Sequence, residues 1–140
     1  MNKLYKNVFV IDDSKADISF IQEAFNDNDL IHKVSPFTDS SSFIKRTRES
    51  SYWETIPDLI LLDLNMPEIS GLTVADTLRG NPRYENVPIV ILSGSDNEKD
   101  KQEGYSHGAN AYLKKPDDYS GWIEMIDNLD KTWLKEEMSN

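Results

Sequence analysis

The sequence predicts an α/β fold built on a doubly wound parallel sheet. Short apolar runs rich in Val, Ile and Leu recur without polar alternation, as strands covered on both faces do. Segments of helical periodicity separate them, the alternation that produces βα units. The polar residues able to do chemistry stand where the apolar runs end.

Val8-Phe9-Val10-Ile11 is the first strand. A helix over Ala16 to Asn26 follows, with Ile18, Ile21, Ala24 and Phe25 on one face and Ser14 as its N-cap. Val34-Ser35-Pro36-Phe37 is a weaker second strand. Its proline cannot donate to a ladder, which favours a strand end or a sheet edge. The next helix runs from Ser40 to Arg48 and carries Phe43 and Ile44. Leu59-Ile60-Leu61-Leu62 is the third strand, followed by a helix over Leu72 to Arg79 that Gly80 stops. Ile89-Val90-Ile91-Leu92 is the fourth strand. The segment Asn97 to His107 is the poorest helix: Tyr105 is its only large apolar residue, and Gly104 costs about 1 kcal/mol against alanine. Ala111-Tyr112-Leu113-Lys114 is a short fifth strand. The longest helix is expected from Tyr119 to about Glu137, with Trp122, Ile126, Leu129 and Trp133 at helical spacing.

The 140 residues suit one domain spanning positions 1–140. The chain has no cysteine, which suits a reducing, cytoplasmic location. Met1 to Lys6 precede no long apolar run, so a secretory signal is not expected. No segment approaches the roughly 20 apolar residues of a membrane-spanning helix. A formal charge of −10 argues against nucleic-acid binding, which rests on lysine and arginine contacts to phosphates, and against docking on an anionic membrane.

In open parallel sheets, ligands bind beyond the carboxyl ends of the strands. Asp12 and Asp13 end the first strand, Asp63 the third, Ser93 the fourth and Lys115 the fifth, so all of them converge on one rim. Three carboxylates gathered there repel one another, and a hard dication removes the conflict. Magnesium suits such a site because it prefers oxygen ligands and often bridges carboxylates to a phosphate. Asp13 and Asp63 are the expected direct ligands. Asp12 is expected to hold metal-bound water, and the backbone carbonyl of Asn65 is a further ligand candidate. Asp63 is then placed to act as a nucleophile toward phosphorus. The Lys115 ammonium would flank the transferred group, the Ser93 hydroxyl would hydrogen-bond one of its oxygens, and Gly94 would leave room for entry. Each residue alone has an ordinary reading: turn and capping residues for the two N-terminal acids, turn chemistry for Ser93, a solvated side chain for Lys115. Their convergence carries the weight.

The ordered set resembles the receiver domains of two-component response regulators over essentially the whole chain. It comprises Asp12-Asp13, Asp63 in Asp-Leu-Asn-Met-Pro with Gly71 downstream, Ser93, and Gly108-Ala109 through Tyr112 to Lys115-Pro116. The resemblance implies five parallel strands in order 2-1-3-4-5 with five helices, the flavodoxin-like arrangement. It implies that Asp63 accepts a phosphoryl group from the phosphohistidine of a sensor histidine kinase or His phosphotransfer protein. It implies a magnesium site at Asp12 and Asp13, a Lys115 contact to the phosphoryl group, and a cis Lys115-Pro116 bond. Ser93 and Tyr112 match the family's switch pair, in which the hydroxyl moves to the phosphoryl group and the ring turns inward. The signal would emerge on the face of the fourth helix, fifth strand and fifth helix. That face or the C-terminal helix could also serve a homodimer. A chain of this length is expected to carry no output module and so to act on a downstream protein target.

Departures from the family pattern are Asp117, where an aromatic is common, Gly104, where alanine is usual, and the long C-terminal helix. That helix and the segment Asn81 to Pro88 resemble stand-alone regulators associated with bacterial phytochrome-type kinases. Three other readings compete. A phosphatase using an aspartyl-phosphate would commonly need a second carboxylate where Asn65 stands. A flavin-binding protein would need a phosphate cradle where the loop Asp12-Asp13-Ser14-Lys15 is acidic. A receiver-like scaffold that is never phosphorylated would not require all five rim residues.

Overall fold

Burial of both faces is what makes the apolar runs into strands. In a computed structural model, which describes residues 5–49 and 56–135, five strands alternate with five α-helices. They are β1 (Asn7–Ile11), α1 (Lys15–Asp27), β2 (Lys33–Phe37), α2 (Ser40–Glu49), β3 (Leu59–Asp63), α3 (Gly71–Arg79), β4 (Ile89–Ser93), α4 (Glu98–Ser106), β5 (Ala111–Lys114) and α5 (Tyr119–Leu129). The strands pair in parallel in the order β2-β1-β3-β4-β5. Every residue of β3 and β4 is buried, as central strands require, whereas β2, with Pro36, lies at an edge.

Alternate residues along each strand feed two cores. Phe9, Ile11, Ile60, Leu62 and Ile91 face α2 and α3, where Phe43, Val74 and Leu78 complete one layer. Val8, Val10, Leu59, Leu61 and Leu92 face α1 and α5, where Ile21, Phe25, Trp122 and Ile126 complete the other. After β2 the chain crosses to the opposite side of β1 to form β3, so strand order reverses between β1 and β3. That crevice is where a ligand is expected.

Capping fixes the helix starts near the rim. The Ser14 side chain accepts from Asp17 N–H at 3.2 Å, and the Asn97 side chain accepts from Asp100 N–H at 2.8 Å. Helix α4 is as weakly apolar as its sequence suggests: Gly104 is its only buried residue and Tyr105 is 51% exposed. Its C-terminal end, by contrast, is firmly held. His107 Nδ1 lies 2.8 Å from Asp76 Oδ1 on α3. The Arg79 guanidinium donates to the carbonyls of Gly108, Tyr84 and Val87 and to Asn110 Oδ1, at 2.8–3.1 Å. Gly108 adopts φ +105°, and a Cβ there would press into the Arg79 stem, so glycine suits this position on both counts.

The last helix departs from expectation. α5 ends at Leu129, and Asp130–Leu134 form one π-helical turn. The cause is local. His32 Nε2 lies 2.7 Å from Asp130 Oδ1, while Nδ1 of the same ring accepts from Lys6 N–H at 2.9 Å. Lys135 N–H closes the wide turn on Asp130 O at 2.7 Å, and Leu134 is buried in the α1–α5 layer. Trp133 packs partly buried against the same layer rather than standing free. Glu136 and Glu137 of the expected helix lie outside the described residues.

Candidate functional site

The rim residues do converge. Asp12 follows β1 directly, and its N–H donates to Phe37 O at 3.0 Å. Its carboxylate is 2% exposed, accepting from Ser14 N–H at 2.8 Å and from Lys115 Nζ at 3.0 Å. Asp13 is exposed beside it, and Asp63 is the buried last residue of β3. Oxygens of Asp12, Asp13 and Asp63 all lie within 4.8 Å of one another.

Lys115 reaches this cluster from the far side of the sheet centre. Its N–H donates to Ser93 O at 2.7 Å, extending the β4–β5 ladder by one residue. Its Nζ lies 2.7 Å from Asp17, 3.0 Å from Asp12 and 3.2 Å from Asp63. The strand register therefore brings the backbone of Lys115 to the rim. The expected cis Lys115-Pro116 bond is not found: the described residues contain no cis peptide. A trans bond, favoured by about 0.5–1 kcal/mol, already permits every contact Lys115 makes.

Ser93 is fully buried, and its hydroxyl oxygen accepts from Ser95 N–H at 3.2 Å. Tyr112 is buried too, donating its hydroxyl to Ser95 O at 2.7 Å. The ring thus already lies inside before any phosphoryl group is added, its hydroxyl tied to the backbone that follows Ser93. Asn65 is exposed on the loop after β3, which the buried Leu64 and Met66 hold down. Apart from its chain neighbours, nothing among the described residues lies within 4 Å of where a Cβ on Gly94 would stand, so the approach beside Ser93 is open.

Asp17 is the residue that the sequence reading missed. It lies in the first turn of α1, over the same sheet edge, and makes the shortest contact to Lys115. Its only signal was an acidic residue one helical turn past a rim loop.

Burial, then the Asp12 charge, raise the Asp63 carboxyl to about 6, against the pull of the Lys115 ammonium; Asp13 adds to the rise. Asp12 is also raised, chiefly by burial. Burial works against the Lys115 charge as well, but the Asp17 hydrogen bond and the Asp12 and Asp63 carboxylates outweigh it, and the ammonium is strengthened. An all-oxygen cluster with two buried carboxylates under mutual repulsion fits a hard divalent cation, and Asp12, Asp13 and Asp63 are the residues that would hold it.

A pH dependence follows. Folded Asp63 keeps its proton up to about pH 6, whereas in the unfolded chain it loses it near the ordinary 3.8. Between those values the folded state binds more protons, so without metal stability falls as pH rises through this window. The loss is expected to be on the order of 2–3 kcal/mol, with Asp12 acting in the same direction. Thermal melts of chelator-treated protein should therefore show a lower Tm at pH 7 than at pH 5. Magnesium should raise Tm more at pH 7 than at pH 5. A Tm that is flat across this range would contradict the account.

Residues 8–127 match the family described as the response regulator receiver domain. Response regulator Rcp1 of Synechocystis sp. is 30% identical over 132 residues, covering 93% of this chain and 90% of that protein. The crystal structure of the phosphorylated cyanobacterial phytochrome response regulator RcpA superposes with a TM-score of 0.83 at 32% identity, covering 93% of this chain and 94% of that one. The Mn(2+)-bound form of Rcp1 gives a TM-score of 0.82 at 28% identity, covering 96% and 99%.

Proposed function

This chain belongs to the response regulator receiver-domain family, and on that premise we propose that it accepts a phosphoryl group on Asp63 from the phosphohistidine of a sensor histidine kinase or His phosphotransfer protein. One observation carries the reading: Asp63 stands 3.2 Å from the Lys115 ammonium and within 4.8 Å of the Asp12 and Asp13 carboxylates, at the crevice where strand order reverses.

An Asp63 oxygen attacks phosphorus, the P–N bond to histidine breaks, and a P–O bond to the carboxyl forms. Lys115 places its ammonium against the phosphoryl oxygens, and the open approach at Gly94 admits the donor. Asp13, Asp63 and the Asn65 carbonyl, with Asp12 through water, would hold magnesium, which when bound would supply positive charge to offset the added phosphoryl charge. The site works on its own phosphoryl group only, in uptake and in hydrolysis.

The switch runs through the segment 93–95. Ser93 gives up Ser95 N–H to bond the phosphoryl group, and Tyr112, tied to Ser95 O, registers the movement. The signal emerges on α4, β5 and α5, and along β5 and α5 a groove of about 450 Å³ is lined by Leu113, Pro116, Met125 and Trp133. A downstream protein or a second copy of the chain docks on this face or on the C-terminal turn. A net charge of −10 disfavours nucleic acid or an anionic membrane as the target, and no helix among the described residues is long and apolar enough to cross a membrane. The likeness to RcpA supports a phytochrome-type kinase as the phosphoryl source. We read positions 1–140 as one cytoplasmic receiver domain.

A small phosphodonor with magnesium should add one phosphoryl group per chain by intact mass. An unchanged mass, under conditions that label a control receiver, overturns the reading. Lys115→Ala should still take up some phosphoryl group while the Tyr112 ring resonances stay as in the unmodified protein. Normal movement of that ring in the variant would remove the role given to Lys115.

A further inference from the structure

We infer that Asp17 is a positioning residue for the phosphoryl transfer: it anchors the Lys115 ammonium to α1 and so keeps it beside Asp63. The inference rests on the phosphoacceptor reading of Asp63.

A lysine ammonium is a point charge on a stem with large rotamer freedom, so its direction must be imposed by its partners. Lys115 has three, at 2.7 Å (Asp17), 3.0 Å (Asp12) and 3.2 Å (Asp63). Two of them, Asp12 and Asp63, belong to the acidic cluster that would face a cation. Asp12 is further committed to Ser14 N–H at 2.8 Å. Asp63 is the atom group to be modified. Asp17 alone lies outside the cluster, and so it alone can hold the ammonium unchanged before, during and after transfer.

Asp17 is itself well fixed. Its backbone N–H donates to the Ser14 hydroxyl at 3.2 Å, and its carboxylate lies in the first turn of α1, where the helix dipole favours an anion. Helix α1 is tied to α5 by Asn28 Nδ2 donating to Ile123 O at 3.0 Å and by the Tyr119 hydroxyl donating to Asp27 at 2.6 Å. At the other end of the residue, Lys115 N–H is held by Ser93 O at 2.7 Å. The lysine is thus fastened at its backbone to β4 and at its tip to α1. So fastened, the ammonium stands 3.2 Å from Asp63 as an ion pair.

Labelling by a small phosphodonor with magnesium, followed by intact mass, tests this in Asp17→Ala, Lys115→Ala and the double variant. Asp17→Ala should label roughly tenfold more slowly than the parent, within the loss that a misplaced catalytic group brings. Asp17→Asn, which keeps an acceptor oxygen, should recover most of the rate. With Lys115 already alanine, Asp17→Ala should cause no further slowing, because the two act as one unit. Equal slowing with and without Lys115, or none in the parent background, overturns the inference. Acetic anhydride footprinting, done without phosphodonor, reads the anchor separately. Lys115 should acetylate several-fold faster in Asp17→Ala than in the parent, and unchanged reactivity also overturns it. A parent that takes no label while Lys115 reactivity still rises in Asp17→Ala removes the phosphoacceptor reading and leaves the anchoring intact.

Discussion

Asp63→Asn should carry no phosphoryl group under conditions that fully label the parent. An amide oxygen is a poor nucleophile toward phosphorus, and no other carboxylate is as central: Asp12 is committed to Ser14 and Lys115, and Asp13 lies at the exposed edge of the cluster. The substitution nearly conserves volume, so the fold should survive it. It also removes a charge that burial and Asp12 oppose. In the absence of metal the variant should therefore melt at or above the parent temperature at pH 7, and most of the pH dependence should vanish. Mass and melting curves on one sample check both halves. Labelling of the variant at the parent rate would point to a different acceptor.

The second large effect is expected at a residue that has no side chain. Gly71 opens α3 and lies directly under the end of β3, its N–H donating to Leu64 O at 2.9 Å. A Cβ at this position would collide with the Asp63 carbonyl and stand 2.9 Å from Leu64 Cα. Both obstacles are backbone, so no side chain can rotate away. Gly71→Ala must push α3 off the loop or turn the Asp63 peptide. Overpacking of this kind costs roughly 1–3 kcal/mol, a large share of the about 5–15 kcal/mol that holds a typical domain together. Melting should fall by several degrees. Because the displaced peptide is that of the proposed acceptor, labelling should also slow about tenfold or more. A variant with the parent's Tm and labelling rate would show that the loop yields freely.

The strands were legible because parallel strands buried on both faces are continuous apolar runs, and Leu59 to Leu62 and Ile89 to Leu92 are nothing else. The rim followed from them, since Asp12, Asp63 and Ser93 simply stand where the runs stop. Pro36 marked the edge strand for the same local reason. What stayed hidden depends on partners distant in sequence. Asp17 is one of 25 acidic residues, and only the path of α1 over the sheet edge brings it to Lys115, 98 positions away. The π turn at Asp130 needs His32, equally remote, and helical periodicity carries no trace of that pair. The cis bond came from likeness to a family; the register of β5 on β4 meets the same need with a trans bond.

The mooring of α4 at Asp76 and Arg79 bears on how this helix can travel. Its C-terminal end is pinned through His107 and Gly108, whereas its N-terminal end is held chiefly by its own Asn97 cap. Any displacement of α4 is then a swing about the far post, like a gate hung on one side. The free end sweeps the widest arc, and it is the end adjoining Ser93, Gly94 and Ser95. A shift at the buried serine is then felt most where α4 begins and fades toward the Arg79 guanidinium.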